Sequence, residues 1–448
     1  MKDDKLIYTA DIKEKVLLIA VASGDGSSTH SSLNELEELA ETAGARVLGR
    51  VVQNRESLHP ATYVGKGKLD EVRLAAYELG ATGVVCDDEL SPAQLRNLED
   101  ELEIKVMDRT MLILDIFAKR ASTLEGKIQV ELAQLKYSAA RLAGLRASLS
   151  RLGGGIGTRG PGEKKISMDR RLIHSRIGQL KAQLEEVKKH REVNRKGRQE
   201  IFTAAIVGYT NAGKSSLINR LTRSHELVEN ALFATLDTAV RHSEAANGRR
   251  FMYVDTVGFV RQLPTQLIEA FKSTLEEAAG ASVIVHVVDA SHPDPFSQID
   301  AVNDVLQDIP GIEGIPALVV FNKIDCIDEA ALQRLKNLVP DAFFISALTE
   351  EGIDVLRKAV ESRLPQPDVH VDAVIPYSRG DLVSRARQFG SVGQVEYGDT
   401  GIHLTADVDS RLAAHIVAGA EDAASANRAS HDTAGTASAG HSVSGFAG

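Results

Sequence analysis

The sequence predicts a multi-domain α/β protein: an N-terminal α/β domain built on a mainly parallel sheet, an antiparallel helical hairpin, a second α/β domain, and a small α+β unit near the C-terminal end. Three observations carry this. Short apolar runs alternate with helical patterns in two separate blocks, about residues 14–120 and 199–366, as the strands and crossover helices of parallel sheets do. Between the blocks lie two heptad-patterned segments joined by a glycine-rich stretch. A length of 448 residues exceeds what one hydrophobic core sustains, and 43% hydrophobic with 25% charged residues is a globular balance.

Taken in order, residues 1–13 read as a tail. The first block offers strands at Val16–Ala22, Arg46–Val52, Thr82–Asp87 and Ile104–Asp108, with helical patterns between them. Ser91 followed by Pro92 and Gln94 has the form of a capping box with proline at the first helical position. "YVGKGK" (Tyr63–Lys68) reads equally as a phosphate contact or as a glycine-assisted strand-to-helix turn. Cys86 and Cys326 sit in separate apolar contexts; both are expected to be small buried hydrophobes, with no disulfide framework or metal cluster.

From 121 to 198, Ile128, Leu132, Leu135, Ala139, Leu142 and Leu149 keep four-three spacing, as do Ile173, Ile177, Leu180, Leu184 and Val187. Two such stripes joined by a short connection predict an antiparallel helical pair. The connection, "GGGIGTRGPGE" (Gly153–Glu163), contains a GxGxxG pattern at Gly155, Gly157 and Gly160. A dinucleotide-binding loop needs a strand before it, and here a helix precedes, so that reading fails. The stretch is instead expected to be the hairpin tip, whose Arg159, Lys164, Lys165, Arg170 and Arg171 suit RNA phosphates; a solvated turn is the plainer alternative. Residues 119–200 hold 20 Lys and Arg against 8 Asp and Glu in a chain of net charge −10. An acidic protein with one basic arm still presents a phosphate-binding face.

The third block carries the chemistry. "AAIVGYTNAGKSSLINRL" places Gly208, Gly213, Lys214 and Ser215 in the order of a P-loop, between an apolar strand and a helical pattern. Its glycines let backbone amides wrap a β-phosphate, Lys214 brings positive charge to the β- and γ-phosphates, and the Ser215 hydroxyl is a Mg²⁺ ligand. "FMYVDTVGF" ends a strand with Asp255, suited to Mg²⁺ through water, and Gly258, whose amide suits a γ-phosphate. "ALVVFNKID" supplies Asn322, Lys323 and Asp325; the Asp325 carboxylate matches the N1–H and N2 donors of guanine, which adenine lacks in that arrangement. "FFISALTEEGI" supplies Ser346 and Ala347, with a backbone amide for guanine O6.

These four motifs resemble those of translation-factor-class GTPases. With "ATYVGKGKLDEV", "GGGIGTRGPGE", "FATLDT" and "DTVGFV", the chain to about residue 365 resembles the HflX family of ribosome-associated GTPases. The resemblance implies an α/β domain, a long helical hairpin and a P-loop GTPase domain that together bind the large ribosomal subunit through its rRNA. It implies separation of stalled or idle ribosomes into subunits, with the tip reaching toward the peptidyl-transferase region. It makes Thr235 the switch threonine that closes on Mg²⁺, and Lys214, Thr235 and Gly258 the groups acting on the reacting phosphate. Nucleotide contacts are then expected from Tyr209, Thr210, Asn211, Ala212 and Ser216 in the P-loop, from Thr256 and Val257 beside Asp255, and from Leu348 after Ala347. The chain departs from the family pattern twice. Thr238-Ala239 follows Asp237 where a proline is expected, and Lys164-Lys165 makes the tip more basic.

Phe259 occupies the place where many GTPases hold a water-orienting glutamine. A phenyl ring cannot hydrogen-bond water, so turnover is expected to be slow alone and stimulated by the ribosome, unless the ring simply packs and water is positioned elsewhere. Asn211 suggests a bound K⁺ as an added positive charge, or a local bond that holds the loop. Two rivals stay open: a GTP-switched regulatory protein that docks without catalytic splitting, and an ATP-driven RNA-remodelling enzyme. Residues 367–420 read as a small α+β unit with strands at "VHVDAVIP", "SVGQVEY" and "GIHLTADV", and 421–448 as a disordered tail. No apolar run is long enough to span a membrane and no signal peptide opens the sequence. A cytoplasmic monomer is the expectation.

Overall fold

A computed structural model describes residues 13–23, 27–152, 161–196, 202–223, 232–233, 239–245, 250–261, 278–364, 369–410 and 412–420. Within these, the side chains at the far end of the hairpin, over 142–152 and 161–170, are outside the description.

The first unit alternates β1 (Lys15–Ala22), α1 (Ser27–Thr42), β2 (Arg46–Asn54), α2 (Lys66–Leu79), β3 (Gly83–Cys86), α3 (Pro92–Leu102), β4 (Lys105–Asp108) and α4 (Arg109–Arg120). The strands form a parallel sheet in the order β2-β1-β3-β4. Its central strands are continuous apolar runs because both faces are covered. Leu17, Ile19, Val84 and Cys86 pack under α2 and α3, while Val16, Leu18, Ala20 and Val85 pack under α1 and α4. The Ser91 capping box forms with both of its hydrogen bonds, and Asp108 caps α4 by accepting from the Met111 amide at 2.8 Å. Gly65 serves as the N-cap of α2, with its amide donating to Gln53 Oε1 at 2.7 Å; "YVGKGK" therefore has a structural role as a turn.

Helix α5 (Leu124–Leu152) and helix α6 (Pro161–Lys196) form the hairpin. Ile128, Leu132 and Leu180 are buried between them, flanked by Leu135, Ile177, Leu184 and Val187, which are the positions that the four-three spacing selects. The foot of the hairpin is fixed to the first unit by burial of Val130, Ala133 and Tyr137. Tyr137 donates its hydroxyl to the fully buried Asp108 carboxylate, and Arg141 donates to that carboxylate at 2.5 Å. The expected tip residue Arg159 lies outside the described residues, as do the side chains of Lys164, Lys165 and Arg170; Arg171 is exposed on α6.

The second α/β unit holds β5 (Phe202–Gly208), α7 (Lys214–Thr222), β6 (Ala239–Glu244), β7 (Arg250–Asp255), β8 (Val283–Asp289), α8 (Pro295–Gln307), β9 (Ala317–Asn322), α9 (Glu329–Leu338), β10 (Phe343–Phe344) and α10 (Ile353–Arg363). Strand order is β10-β9-β8-β5-β7-β6, parallel except for β6 against β7. The last unit pairs β11 (Val369–Ile375), β12 (Ser391–Gly398) and β13 (Gly401–Val408) antiparallel in the order β11-β13-β12, backed by α11 (Gly380–Phe389) and the helical segment 412–420. The tail from 421 lies outside the described residues. Among the described residues no helix is long and apolar enough to cross a membrane.

Two features differ from expectation. Cys86 is buried but Cys326 is exposed, because the chain leaves β9 through a left-handed Lys323 (φ 67°) into a single 3₁₀ turn over Ile324–Cys326 that faces outward. The first and third units also share one core. Phe117 on α4 meets Phe233 with ring centroids 4.5 Å apart, and Tyr209, Leu232, Val257, Phe259 and Val260 bury against the same cluster.

Candidate nucleotide-binding site

The pocket sits at the carboxyl end of β5, where ligands bind in open α/β sheets. β5 ends at Gly208, with φ 152°; a Cβ there would lie 2.2 Å from the Val287 carbonyl oxygen, so the strand can turn only at glycine. Gly213 closes the loop with φ 89°, where a Cβ would lie 2.3 Å from Asn322 Nδ2. Helix α7 begins at the next residue, aiming its free amides at the loop. Asn211 is exposed and left-handed at φ 61°, a conformation asparagine accepts more readily than most residues.

Lys214 is 7% exposed and donates to the carbonyls of Gly208 (3.0 Å) and Tyr209 (2.8 Å). Burial pushes its pKa down to about 8, although the Asp255 carboxylate opposes the shift. An anionic ligand binds the charged form, so the empty pocket must first protonate Lys214 when the pH lies above 8. GDP affinity is therefore expected to be flat below pH 7 and to fall about tenfold between pH 7 and pH 9, by linkage. Calorimetry across that range checks this; a lysine titrating at its ordinary value would give no change.

Asp255 is buried at the end of β7 and accepts from the Ser215 hydroxyl at 3.0 Å. Among the described residues no group of three or more His, Cys, Asp or Glu is poised to hold a metal. One carboxylate, one hydroxyl and room for phosphate oxygens is nevertheless the donor set of a Mg²⁺ that binds with its nucleotide. Ser216 is half-buried behind Ser215. Thr235 lies outside the described residues.

The stretch after Asp255 is stitched to the P-loop. Thr256 is buried and donates its hydroxyl to the Ile206 carbonyl at 2.8 Å, while Val257 packs in the shared core. The Phe259 amide donates to Gly208 O (3.2 Å) and the Thr210 amide donates to Phe259 O (2.7 Å). Phe259 itself is 3% exposed and serves as a packing group. Gly258 lies so close to the loop that a Cβ would sit 2.7 Å from Thr210 Cγ2 and 3.1 Å from Lys214 Nζ. Thr210 also holds a buried hydroxyl oxygen with no partner.

The base-reading residues converge from two strands. Asn322 is buried; its Nδ2 donates to the Ala212 carbonyl (2.8 Å) and its Oδ1 accepts from the Ala347 amide (2.9 Å). It thus ties the P-loop to the loop after β10. The Ala347 amide was expected to face a guanine O6, and here Asn322 engages it. Lys323 projects its ammonium to Asp289 at 2.6 Å. Asp325 is exposed, and a hydrogen bond from the fully buried Ser346 holds its carboxyl below the usual carboxylate range. An ionised acceptor at the mouth of the pocket suits a base edge made of donors. Leu348 is 74% exposed.

Sequence reasoning missed the groups that reach this pocket from the first unit. Glu35 on α1 accepts from the Tyr209 hydroxyl and is paired with Arg109, which is 2% exposed. Glu38, one turn further along α1, is raised above the usual carboxylate range by burial and by Glu35. No local pattern marks either residue, because their partners are supplied by another domain.

Three family models match consecutive parts of the chain: "GTP-binding GTPase N-terminal" over residues 30–118, "GTP-binding GTPase Middle Region" over 120–198, and "50S ribosome-binding GTPase" over 203–323. Among similar proteins, the GTPase HflX of Lacrimispora saccharolytica is 53% identical over 420 residues, covering 93% of this chain and 99% of that protein. The GTPase HflX of Escherichia coli is 44% identical over 364 residues, covering 80% and 85%. A GTP-binding protein of Sulfolobus solfataricus, solved in complex with GDP, is 26% identical, covering 78% of this chain and 98% of that one at a TM-score of 0.42.

Proposed function

The chain belongs to the HflX family of ribosome-associated, GTP-hydrolysing P-loop enzymes, and from that premise we propose that it engages the large ribosomal subunit through its hairpin and splits stalled or idle ribosomes into subunits. GTP favours the engaged state and hydrolysis permits release. The observation that supports this reading best is the anchoring of the hairpin foot on the first unit. Tyr137 of its foot is buried in the first unit and Arg141 donates to Asp108 there, and α5 runs on to Leu152 within a segment rich in Lys and Arg. A basic lever joined to a nucleotide switch is suited to an rRNA surface, where counterion release supplies affinity.

At the pocket, phosphoryl transfer to water needs charge neutralisation and positioning more than covalent participation. Lys214 and the P-loop amides draw charge from the phosphates, and the Gly258 amide is assigned to the γ-phosphate. Ser215, Asp255 through water, and Thr235 would hold the Mg²⁺ that neutralises the β- and γ-oxygens when nucleotide is bound. Asp325 reads the base and Lys323 covers one face of it. Phe259 contributes no hydrogen bond to water, so we assign the missing acceleration to the ribosome.

Sedimentation of intact ribosomes with substoichiometric protein and GTP tests the reading. Several subunit pairs are expected per protein molecule with GTP, and no more than one with a non-hydrolysable analogue. Association without any separation would favour the GTP-switched docking protein instead.

A further inference from the structure

Tyr209 is the first variable position of the P-loop, yet its hydroxyl does not face the nucleotide side. It accepts from the backbone amide of Arg261 at 2.5 Å and donates to the Glu35 carboxylate on α1 of the first unit. Arg261 lies two residues after Phe259, whose backbone is already bonded to Gly208 and Thr210. The strip from Gly258 to Arg261 is therefore pinned to the P-loop at three points, and the third depends on a carboxylate 174 residues away in sequence. Glu35 is itself held. Arg109 pairs with it, donates to Asp87 Oδ1 at 2.7 Å and reaches Ser32 Oγ at 2.9 Å. Burial raises the Tyr209 hydroxyl well above the ordinary tyrosine range, and the two carboxylates keep Arg109 charged, so the directions of these bonds are fixed across ordinary pH. Next to Arg109, Asp108 receives Tyr137 and Arg141 from the hairpin foot; neighbouring residues thus serve the lever and the pocket.

We infer that Glu35 is a positioning residue for GTP hydrolysis, acting through the Tyr209 hydroxyl to hold the Gly258–Arg261 strip in register with the P-loop. It touches no phosphate. Its effect is geometric, since Gly258 leaves no slack between Thr210 and Lys214, and a displacement of the strip moves the γ-phosphate donor directly. Nucleotide affinity rests mainly on the P-loop and the base loop, which this contact does not form. The expected signature is a change in turnover at constant binding.

Single-turnover hydrolysis and GDP calorimetry on the full chain test this with Tyr209→Phe, Glu35→Ala, Glu35→Gln and the Tyr209→Phe/Glu35→Ala pair. Tyr209→Phe is nearly isosteric and removes only the hydroxyl. It and Glu35→Ala are each expected to lower the hydrolysis rate about tenfold, in the range that misplacement by a fraction of an ångström produces, with GDP affinity within twofold. The pair should be no slower than the worse single variant, because both break the same Glu35–Tyr209 hydrogen bond. Glu35→Gln keeps an acceptor for the tyrosine and should recover most of the rate. Unchanged hydrolysis in Tyr209→Phe would overturn the inference. Multiplying effects in the pair, or a parallel loss of GDP affinity, would overturn it equally by showing separate or merely structural roles.

Discussion

Asp325→Asn is expected to lower GTP and GDP affinity by about a thousandfold and to bring XTP into the same range as the residual GTP binding or above it. The carboxylate is exposed at the mouth of the pocket and is kept ionised by the Ser346 hydroxyl. An ionised acceptor offers two lone-pair faces to the N1–H and N2 donors of guanine. An asparagine amide sets an N–H₂ against one of those donors, which leaves two donors opposed; a site built for hydrogen bonding discriminates by several orders of magnitude in such a case. Xanthine carries an oxygen in place of the N2 amine, so the asparagine amide then meets an acceptor. The fold should be unaffected, since Asp325 sits on a surface 3₁₀ turn and supports no buried group except the Ser346 hydroxyl, which also accepts from the Thr349 amide at 3.0 Å. Calorimetry with GDP and XDP on both proteins is the measurement. Equal GDP affinity in the two would remove Asp325 as the base reader and reopen the choice between guanine and adenine.

The parts of this molecule that were legible in the sequence are those whose cause is local. Short apolar runs announced the strands, heptad spacing announced the hairpin, and Ser91 with Gln94 announced the cap of α3, because each of these is a local signal. The pocket motifs were legible for a related reason. Gly208 and Gly213 occupy backbone geometry open only to glycine, and Asp255 and Asp325 need carboxylates of fixed polarity at strand ends, so residue identity itself records the constraint. What escaped was the joint between domains. The Arg109, Glu35 and Tyr209 chain spans separations of 74 and 174 residues, and each member alone is an ordinary helix or loop residue. The exposure of Cys326 escaped too, since it lies close behind the apolar run of β9 and only the left-handed turn at Lys323 shows where the chain turns outward. Asn322 was expected to contact the nucleotide; its bonds to Ala212 and Ala347 also make it a brace between two loops, which its motif alone does not announce.

That joint bears on how the pocket is used. The cluster shared by the first and third units takes in Phe233, just before the stretch containing Thr235, and Phe259, just after Gly258. The two segments proposed to respond to a γ-phosphate are therefore flanked by residues in apolar packing against α4 and α1. Packed side chains have few low-energy arrangements, so movement at either element is resisted by the first unit, whose β4 end also holds the hairpin foot through Asp108. On the proposed function, a hairpin moved by rRNA would have a mechanical route to the residues assigned to the reacting phosphate, without any ribosomal group entering the pocket.

The same crowding makes Gly258→Ala a damaging substitution for turnover. The added carbon would stand 2.7 Å from Thr210 Cγ2, 3.1 Å from Thr210 Cα and 3.1 Å from Lys214 Nζ. Contact with the lysine tip is relieved by a small rotation, but the Thr210 Cα belongs to a loop that Asn322 and Phe259 hold in place, so the strip carrying Gly258 must retreat. Retreat breaks the paired bonds of Phe259 to Gly208 and Thr210 and withdraws the amide assigned to the γ-phosphate. Losing one preorganised donor of this kind costs about 10²–10³ in rate. Hydrolysis by the alanine variant is therefore expected to fall at least a hundredfold, both alone and with large ribosomal subunits added. GDP lacks the γ-phosphate and relies on the P-loop and Asp325, so its affinity should stay within about threefold of the parent chain. Single-turnover hydrolysis paired with GDP calorimetry separates these outcomes. A variant that hydrolyses GTP at the parental rate would mean that the phosphate is served by another group and that the contact between Gly258 and Thr210 opens without cost, which the three bonds pinning this strip to the P-loop argue against.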